Sequence, residues 1–156
     1  MRAYWRAPEG SALALALVQA AQKHAGLLVA VTADTHAAHA LETELRVFAP
    51  LSLPILHLPD WETLPYDVFS PHSELVASRI ATLYRLPSLS RGVIVVPVSS
   101  LMQRVMPKRW LAGQSLVLKL GQKFDLGQEK RNLEAAGYRH VPQVFEPGDY
   151  ATRGAL

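Results

Sequence analysis

Apolar and polar residues along the first two thirds of the chain follow two recurring patterns. Short runs of consecutive apolar residues are typical of strands in a parallel sheet. They occupy 27–32, 55–58 and 92–98. The segments around them space their apolar residues as helices do. These segments are 11–24, 34–48, 71–86 and 99–105. The alternation predicts an α/β fold with a parallel sheet and helices on both of its sides.

The ends of these segments carry residues that start or stop helices. Ser11 and Asp34 are suited to N-caps, Gly26 to the end of the first helix, and Pro87 to the end of the third. The run 27–32 further predicts a strand that is buried on both faces. The residues expected to face the core are Leu41, Leu45 and Phe48 on the second helix, and Leu75, Ile80, Leu83 and Leu86 on the third.

The pattern changes near Gly113, where a second, smaller unit is predicted to begin. Residues 115–120 alternate between apolar and polar and predict a half-exposed strand. Asp125 is expected to cap a helix that ends at Ala136. Two further strands, 138–145 and 150–156, are predicted to be joined by the EPGD turn. The organisation is therefore a domain of residues 1–113 and part of a small α+β domain, 114–156, which we expect to be truncated.

Composition limits the possible chemistry. The 156 residues are 49% hydrophobic and 19% charged, which is enough for a packed core, and cysteine is absent. The absence of cysteine excludes disulfides, cysteine-ligated zinc and a cysteine nucleophile, and it is compatible with a cytoplasmic location. No apolar run approaches the roughly 18 residues of a membrane span, so no membrane association is expected.

The net charge of +3 is spread along the chain. Residues 1–113 hold ten Lys and Arg against eight Asp and Glu, and residues 114–156 hold six against five. Nucleic-acid-binding domains usually concentrate basic residues on one face. The charge pattern therefore favours a solvated surface over a nucleic-acid interface.

A parallel sheet with a glycine turn before a helix calls for comparison with the phosphate-binding loop G-x-x-x-x-G-K-[ST]. The nearest window is 5–12, in which Gly10 is in place. Ser11 stands where the phosphate-binding lysine is needed, and Ala12 stands where the magnesium-binding hydroxyl is needed. The loop is therefore degenerate, and we expect neither ATP hydrolysis nor a bound cofactor.

Other polar clusters give weak indications of chemistry. His36 and His39 have the i, i+3 spacing of two metal ligands, but no third ligand is evident, so surface histidines are favoured and no metal is expected. The segment of His72, Ser73 and Glu74 is expected to form the first turn of a helix rather than a nucleophile system. Three acids in the preceding loop have no evident catalytic partner. These acids are Asp60, Glu62 and Asp67. We therefore expect no catalytic residue.

The loop that contains these acids also carries three aromatic rings, Trp61, Tyr66 and Phe69. Such rings can stack on nucleic-acid bases, or they can pack a long connection onto the sheet. Residues 58–72 contain no Lys or Arg, which disfavours contact with a phosphate backbone. We therefore predict that the rings pack onto the sheet.

Several strings of the sequence identify a family. They are DWETLPYDVFSPH (60–72), SRIATLYRLP (78–87), RGVIVVPV (91–98), LMQRV (101–105), AGYRHVPQV (136–144) and GDYATRGAL (148–156). Together they resemble the N-terminal region of the bacterial transcription-repair coupling factor, Mfd. That region is similar to the repair protein UvrB. The resemblance implies that 1–113 is a helicase-like, UvrB-like domain 1a with a degenerate P-loop. It also implies that 114–156 is the start of UvrB-like domain 2, which binds UvrA.

The resemblance also implies a function. Factors of this family recognise RNA polymerase stalled at a DNA lesion, displace it with ATP-driven translocase domains, and recruit UvrA. The polymerase-binding and motor domains lie elsewhere in the family's chains. This chain is therefore expected to be a non-catalytic module that recruits UvrA, and to meet RNA polymerase and DNA only through other domains.

The family's UvrA-binding surface includes an arginine in the ATRG segment, and Arg153 occupies that position here. Its planar, permanently charged guanidinium is suited to binding a carboxylate with two hydrogen bonds. Gly148, Asp149, Tyr150 and Thr152 are adjacent candidates for the same surface.

Two alternatives stay open. The chain could be a helicase-like DNA-binding module without an ATPase activity of its own. In the family, another part of the intact protein can also cover the UvrA-binding surface, which would make this module a regulated one.

Overall fold

The structure, a computed structural model, describes residues 8, 10–64, 66–113, 118 and 120–153. The first unit contains α1 (Ala12–Lys23), β1 (Leu27–Thr32), α2 (Thr35–Phe48), β2 (Ile55–His57), α3 (Ser73–Arg85), a 3-10 turn (Leu86–Ser88), β3 (Gly92–Pro97), α4 (Val98–Leu101) and α5 (Lys108–Gly113). The second contains α6 (Leu126–Ala135), β4 (Arg139–His140) and β5 (Asp149–Tyr150). The α/β class predicted from the pattern is confirmed.

The three strands of the first unit form a parallel sheet in the order β1-β3-β2. Strand β3, the last in sequence, lies in the middle. It begins at Gly92, whose φ is +149°, and a Cβ there would lie 2.8 Å from the carbonyl oxygen of Pro54. Only glycine fits this close approach without strain. The backbone N–H of Val93 donates to the same oxygen at 2.9 Å.

Helices cover both faces of this sheet. On one face α1 and α2 pack their apolar sides against β2 and β3, and the buried residues are Ala14, Val18, Ala21, Ala30, Ala38, Leu45, Leu53, Ile55, Val93 and Val95. The other face contributes Leu56, Leu58, Ile94 and Val96, against which Leu83, Leu86 and Leu89 pack. The alternate residues of β2 and β3 thus supply both layers of core, as expected for a parallel sheet.

The prediction that β1 is buried on both faces is wrong. Val29 and Val31 are 53% and 51% exposed. They pair with Ile94 and Val96 and therefore share the face on which α3 packs. Because β1 is an edge strand and α3 contacts β2, this side of β1 is left half-exposed by the described residues.

The caps of the first two helices differ. Asp34 caps α2 as predicted, since its Oδ1 accepts a hydrogen bond from the backbone N–H of Ala37 at 2.7 Å. Ser11 stands at the N-cap of α1, but its side chain makes no capping hydrogen bond with the described residues.

Among the described residues no helix is long and apolar enough to cross a membrane.

The core-facing side of α3 was predicted only in part. Leu83 and Leu86 pack against the second core layer, whereas Leu75 and Ile80 are half-exposed. The buried residues of α3 are instead Arg79 and Thr82. Thr82 donates to the carbonyl oxygen of His57 at 2.7 Å, which satisfies its hydroxyl inside the core.

The second unit is smaller than its predicted strands suggest. The predicted strand 115–120 falls mostly outside the described residues. Asp125 caps α6 as predicted, accepting from the backbone N–H of Gln128 at 3.0 Å. Strands β4 and β5 contain two residues each and pair in parallel. The prediction of two long strands, 138–145 and 150–156, joined by a turn is therefore wrong.

Candidate functional site

The predicted partner-binding segment runs along and beyond β5. Strand β5 is held to β4 by two backbone hydrogen bonds, from Arg139 N–H to Gly148 O at 2.8 Å and from Val141 N–H to Tyr150 O at 2.9 Å. Gly148 has a φ of +97° and turns the chain into the strand. The segment after Tyr150 leaves this two-stranded sheet as irregular chain.

Two of the predicted contact residues, Asp149 and Tyr150, point into the unit. The Tyr150 ring is buried, and its hydroxyl donates to Glu134 Oε1 on α6 at 2.6 Å. This hydrogen bond to a carboxylate raises the pKa of Tyr150. The Asp149 carboxylate is almost fully covered and lies 3.0 Å from the guanidinium of Arg139. Both side chains therefore hold β5 in place.

Arg139 joins several parts of the unit. Its guanidinium donates to Glu146 Oε1 at 2.7 Å, and this bond, together with the charges of Asp149 and Glu146, raises the pKa of Arg139. The other oxygen of Glu146 accepts a hydrogen bond from the hydroxyl of Ser73 at 3.1 Å. Ser73 is the first residue of α3, so this contact connects the second unit to the first.

Thr152 and Arg153 lie at the surface end of the segment. The Thr152 hydroxyl is 3.4 Å from His140 Nε2, and the His140 ring lies against that of Tyr150 with the centroids 5.0 Å apart. Arg153 is exposed and has no hydrogen bond or ion pair with another described residue. Of the five predicted residues, Arg153 therefore carries the charged group that is available to a partner.

The last three residues of the window predicted to be a degenerate P-loop lie at the start of α1. Gly10 has a φ of +56° in the turn before the helix, Ser11 is the N-cap residue, and Ala12 is the first helical residue. The remainder of the window, 5–7 and 9, lies outside the described residues. The side chains in place offer one serine hydroxyl and neither of the groups that phosphate and magnesium need.

The prediction that the rings of the loop between β2 and α3 pack onto the sheet is wrong for Tyr66 and Phe69, and Trp61 contacts a side chain of α3. Trp61 lies under the guanidinium of Arg79, whose central carbon is 4.2 Å from the ring centroid. Tyr66 and Phe69 are 103% and 80% exposed. Glu62 and Tyr66 also adopt left-handed φ values of 57° and 76°, an unusual and strained conformation for such residues.

The first part of this loop is held by hydrogen bonds that Asp60 accepts and by one that Arg79 donates to the carbonyl oxygen of Pro59. Asp60 Oδ1 accepts from the side-chain nitrogen of Gln103 and from the backbone N–H of Trp61, both at 2.8 Å. Burial raises the pKa of Asp60, but hydrogen bonds from Ser99, Gln103 and the Trp61 backbone outweigh burial and leave it below its usual value. The hydrophobic pattern gave no signal for this polar cluster.

Two further polar clusters were considered in the sequence, the segment of His72, Ser73 and Glu74 and the pair of His36 and His39. At the start of α3, His72 Nδ1 accepts from the backbone N–H of Glu74 at 3.4 Å, and Ser73 donates to Glu146, so His72 and Ser73 act as the expected first turn of the helix. His39, on α2, lies near Glu42 and His57. The sequence pattern had indicated His36 as its neighbour instead.

Comparison with known proteins gives a consistent result. The chain is 48% identical to the transcription-repair-coupling factor of Escherichia coli strain K12 over 147 residues, which are 94% of this chain and 13% of that protein. It is 44% identical to the factor of Haemophilus influenzae over 144 residues, or 92% and 12% of the two chains. For the factor of Myxococcus xanthus the identity is 33% over 135 residues, or 83% and 11%.

The chain thus spans about an eighth of the length of these relatives. No protein-family model matches it.

Proposed function

We propose that this chain, which is homologous over nearly its whole length to one segment of the transcription-repair-coupling factors, is a non-catalytic adaptor in transcription-coupled DNA repair. In this proposal its second unit binds the repair protein UvrA in the cytoplasm. Motor activity, and contact with RNA polymerase and DNA, belong to other domains of the longer protein. The observation that carries the proposal is the exposed guanidinium of Arg153, which has no partner among the described residues.

The surroundings of Arg153 favour this role. The strand that leads to it is fixed by the hydrogen bond from the buried Tyr150 to Glu134 and by the ion pair of Asp149 and Arg139. A rigid support lowers the entropy lost when a side chain binds a partner. Arginine can form two parallel hydrogen bonds with a carboxylate, and it is enriched among residues that dominate binding energy. The expected partner surface is therefore acidic.

The start of α1 is consistent with an adaptor that has no ATPase activity. Ser11 and Ala12 replace the lysine and hydroxyl that bind the phosphates and magnesium in working P-loops. In our proposal the first unit is a helicase-like, UvrB-like scaffold that has lost nucleotide binding and presents the second unit to its partner.

Binding of purified UvrA to the wild-type chain, to Arg153→Glu and to Arg131→Glu tests the proposal. Arg131 is an exposed arginine on α6 of the same unit, so its reversal is a matched control for net charge. We expect Arg153→Glu to weaken binding at least tenfold, about 1.4 kcal/mol, and Arg131→Glu to change it less than threefold. Circular dichroism checks that the variants fold. Equal binding by wild type and Arg153→Glu would remove Arg153 from the interface.

One observation favours a second candidate function, single-stranded DNA binding. Tyr66 and Phe69 project from the loop between β2 and α3 and expose ring faces on which bases can stack. The same loop carries Glu62 and Asp67, whose charges repel phosphates. The adaptor function is therefore the one that the residues support better.

A further inference from the structure

Acidic and basic residues are segregated in the middle of the chain. Residues 75–124 contain eight Lys and Arg and no Asp or Glu, whereas the rest of the chain contains eight Lys and Arg against 13 Asp and Glu. A division at residue 113 cuts through this basic block, so the charge looks evenly spread on either side of it. Residues 58–74, directly before the block, hold four acids and no Lys or Arg. An acidic stretch and a basic stretch therefore follow one another.

The acidic surface, residues 60–64 and 66–74, exposes apolar side chains as well as acids. Its exposed acids are Glu62, Asp67 and Glu74, and none of them forms an ion pair with a lysine or arginine among the described residues. Four large apolar side chains of this surface are at least three-quarters exposed, namely those of Leu64, Tyr66, Val68 and Phe69. Exposed apolar residues that lie close together mark surfaces that bind a partner.

The basic surface, residues 98–110, has the same character with the opposite charge. Arg104, Lys108 and Arg109 are exposed and form no ion pair with a described residue. Beside them, four large apolar side chains are at least half exposed, namely those of Leu101, Met102, Val105 and Trp110. Tryptophan, methionine and arginine are among the residue types that are enriched in protein–protein interfaces. The composition therefore favours an acidic protein surface as the partner.

The two surfaces lie side by side, at the edge of the sheet where β2 and β3 end. Gln103 of the basic surface donates to Asp60 Oδ1 of the acidic surface at 2.8 Å. A cavity of about 480 Å³ adjoins this contact, and its walls are Trp61, Thr63, Leu64, Pro71, Val76 and Gln103. The walls are mostly apolar, and the cavity is large enough to accept an aromatic side chain.

We propose that the chain forms a two-fold symmetric dimer in which the acidic surface of each copy docks on the basic surface of the other. This pairing goes beyond the proposed UvrA contact and does not use Arg153. A two-fold interface requires that each copy carry both halves of every contact. Adjacent surfaces of opposite charge, each with uncovered apolar groups, meet this requirement. The rings of Tyr66 and Phe69 are the groups that can enter the cavity of the opposite copy.

The size of the two surfaces suits a weak dimer. Together they expose 19 residues, close to the low end of the roughly 20–30 residues that one partner contributes to a standard interface. We therefore expect a dissociation constant of roughly 10–100 µM, which leaves the chain monomeric in dilute solution. Opposite charges steer such association, and salt screens them.

The test is sedimentation equilibrium of the 156-residue chain between about 5 and 500 µM, a range that spans the expected dissociation constant. At low salt the wild-type chain should convert from monomer to dimer across this range. In about 1 M sodium chloride the affinity should fall at least tenfold, because the Debye length shrinks to about 3 Å.

Two double variants test the pairing of charges. Lys108→Glu with Arg109→Glu reverses the sign of the exposed charge on the basic surface, and Glu62→Lys with Glu74→Lys does so on the acidic surface. Each variant alone should stay monomeric, because like charges then face each other across the two-fold axis. An equimolar mixture of the two variants should dimerise again, because every surface then meets one of opposite charge. Recovery in the mixture also shows that both variants are folded.

Arg85→Glu with Arg91→Glu is the matched control. Both arginines are exposed and belong to the same block without acids, but they lie outside the basic surface. Unchanged dimerisation in this control supports the proposal. The proposal is overturned if the wild-type chain stays monomeric throughout, if the control loses as much affinity as the other variants, or if the mixture stays monomeric. A monomeric wild-type chain that binds a single-stranded oligonucleotide would assign the basic surface to nucleic acid instead.

Discussion

Arg79 shows how a single buried cation can organise a segment that the hydrophobic pattern does not explain. Only 2% of its surface is exposed, yet its guanidinium stacks on Trp61, donates to the carbonyl oxygen of Pro59 and lies 3.4 Å from Ser100 Oγ. Burial lowers the pKa of Arg79, and the charge of Asp60 opposes this effect. One side chain of α3 thus fixes the start of the aromatic loop and contacts α4.

Arg79→Ala should destabilise the chain by about 3–4 kcal/mol, because it opens a cavity and leaves buried polar groups without their partner. Urea unfolding followed by circular dichroism measures the change. Arg85→Ala is the control, since Arg85 lies exposed on the same helix, and its cost should stay within about 0.5 kcal/mol. Similar losses in the two variants would contradict the role given to Arg79.

Glu42 should make stability depend on pH. Its pKa is about 2 in the folded chain, below the ordinary 4.5, so its stabilising effect is present above pH 4.5 and is lost as pH falls toward 2. Glu42→Gln should therefore cost about 1–2 kcal/mol at pH 7, after allowance for solvent screening. The difference from wild type should shrink below pH 4.5. Urea unfolding across pH 3–7 measures it, and a difference that stays constant with pH would contradict the assignment.

At the scale of elements, the apolar pattern located the strands of the first unit to within about a residue, and their parallel arrangement followed from the alternation with helices. The pattern could not reveal that β3 lies between β1 and β2, which exposes one face of β1. Strand order depends on contacts between distant parts of the chain, and local periodicity does not record them. The short helix α5 was missed for lack of a repeating apolar face.

Polar contacts between elements could not be predicted from the sequence either. The spacing of His36 and His39 indicated a helical pair, whereas His39 faces His57 from β2. In the second unit, Tyr150 and Asp149 belong to the segment that the family resemblance marked as a contact surface, yet their partners Glu134 and Arg139 hold them inside. Sequence proximity to Arg153 did not distinguish supporting residues from exposed ones.

The exposed rings of the loop between β2 and α3 give a prediction at this scale. The double change Tyr66→Ala and Phe69→Ala should leave the free energy of unfolding within about 0.5 kcal/mol, because neither ring is packed. In the adaptor account neither the wild-type chain nor the variant binds a single-stranded oligonucleotide in fluorescence anisotropy. Wild-type binding that weakens steeply with salt, and is lost in the variant, would favour the DNA-binding function.

At the scale of the whole molecule, the chain combines an α/β unit with a small second unit that exposes Arg153. Contacts such as that of Ser73 with Glu146 connect the two. The homology extends over more than nine tenths of the chain but about an eighth of the related factors, so the proposed role is that of one module among several. The central claim is that this module binds UvrA through Arg153.

The most direct measurement of that claim is the dissociation constant of UvrA for the wild-type chain and for Arg153→Glu, determined side by side with Arg131→Glu. The account predicts saturable binding by the wild-type chain, a loss of at least tenfold in Arg153→Glu, and little change in Arg131→Glu. Absence of wild-type binding would contradict the adaptor function. Equal affinities for the wild-type chain and a folded Arg153→Glu variant would contradict the site.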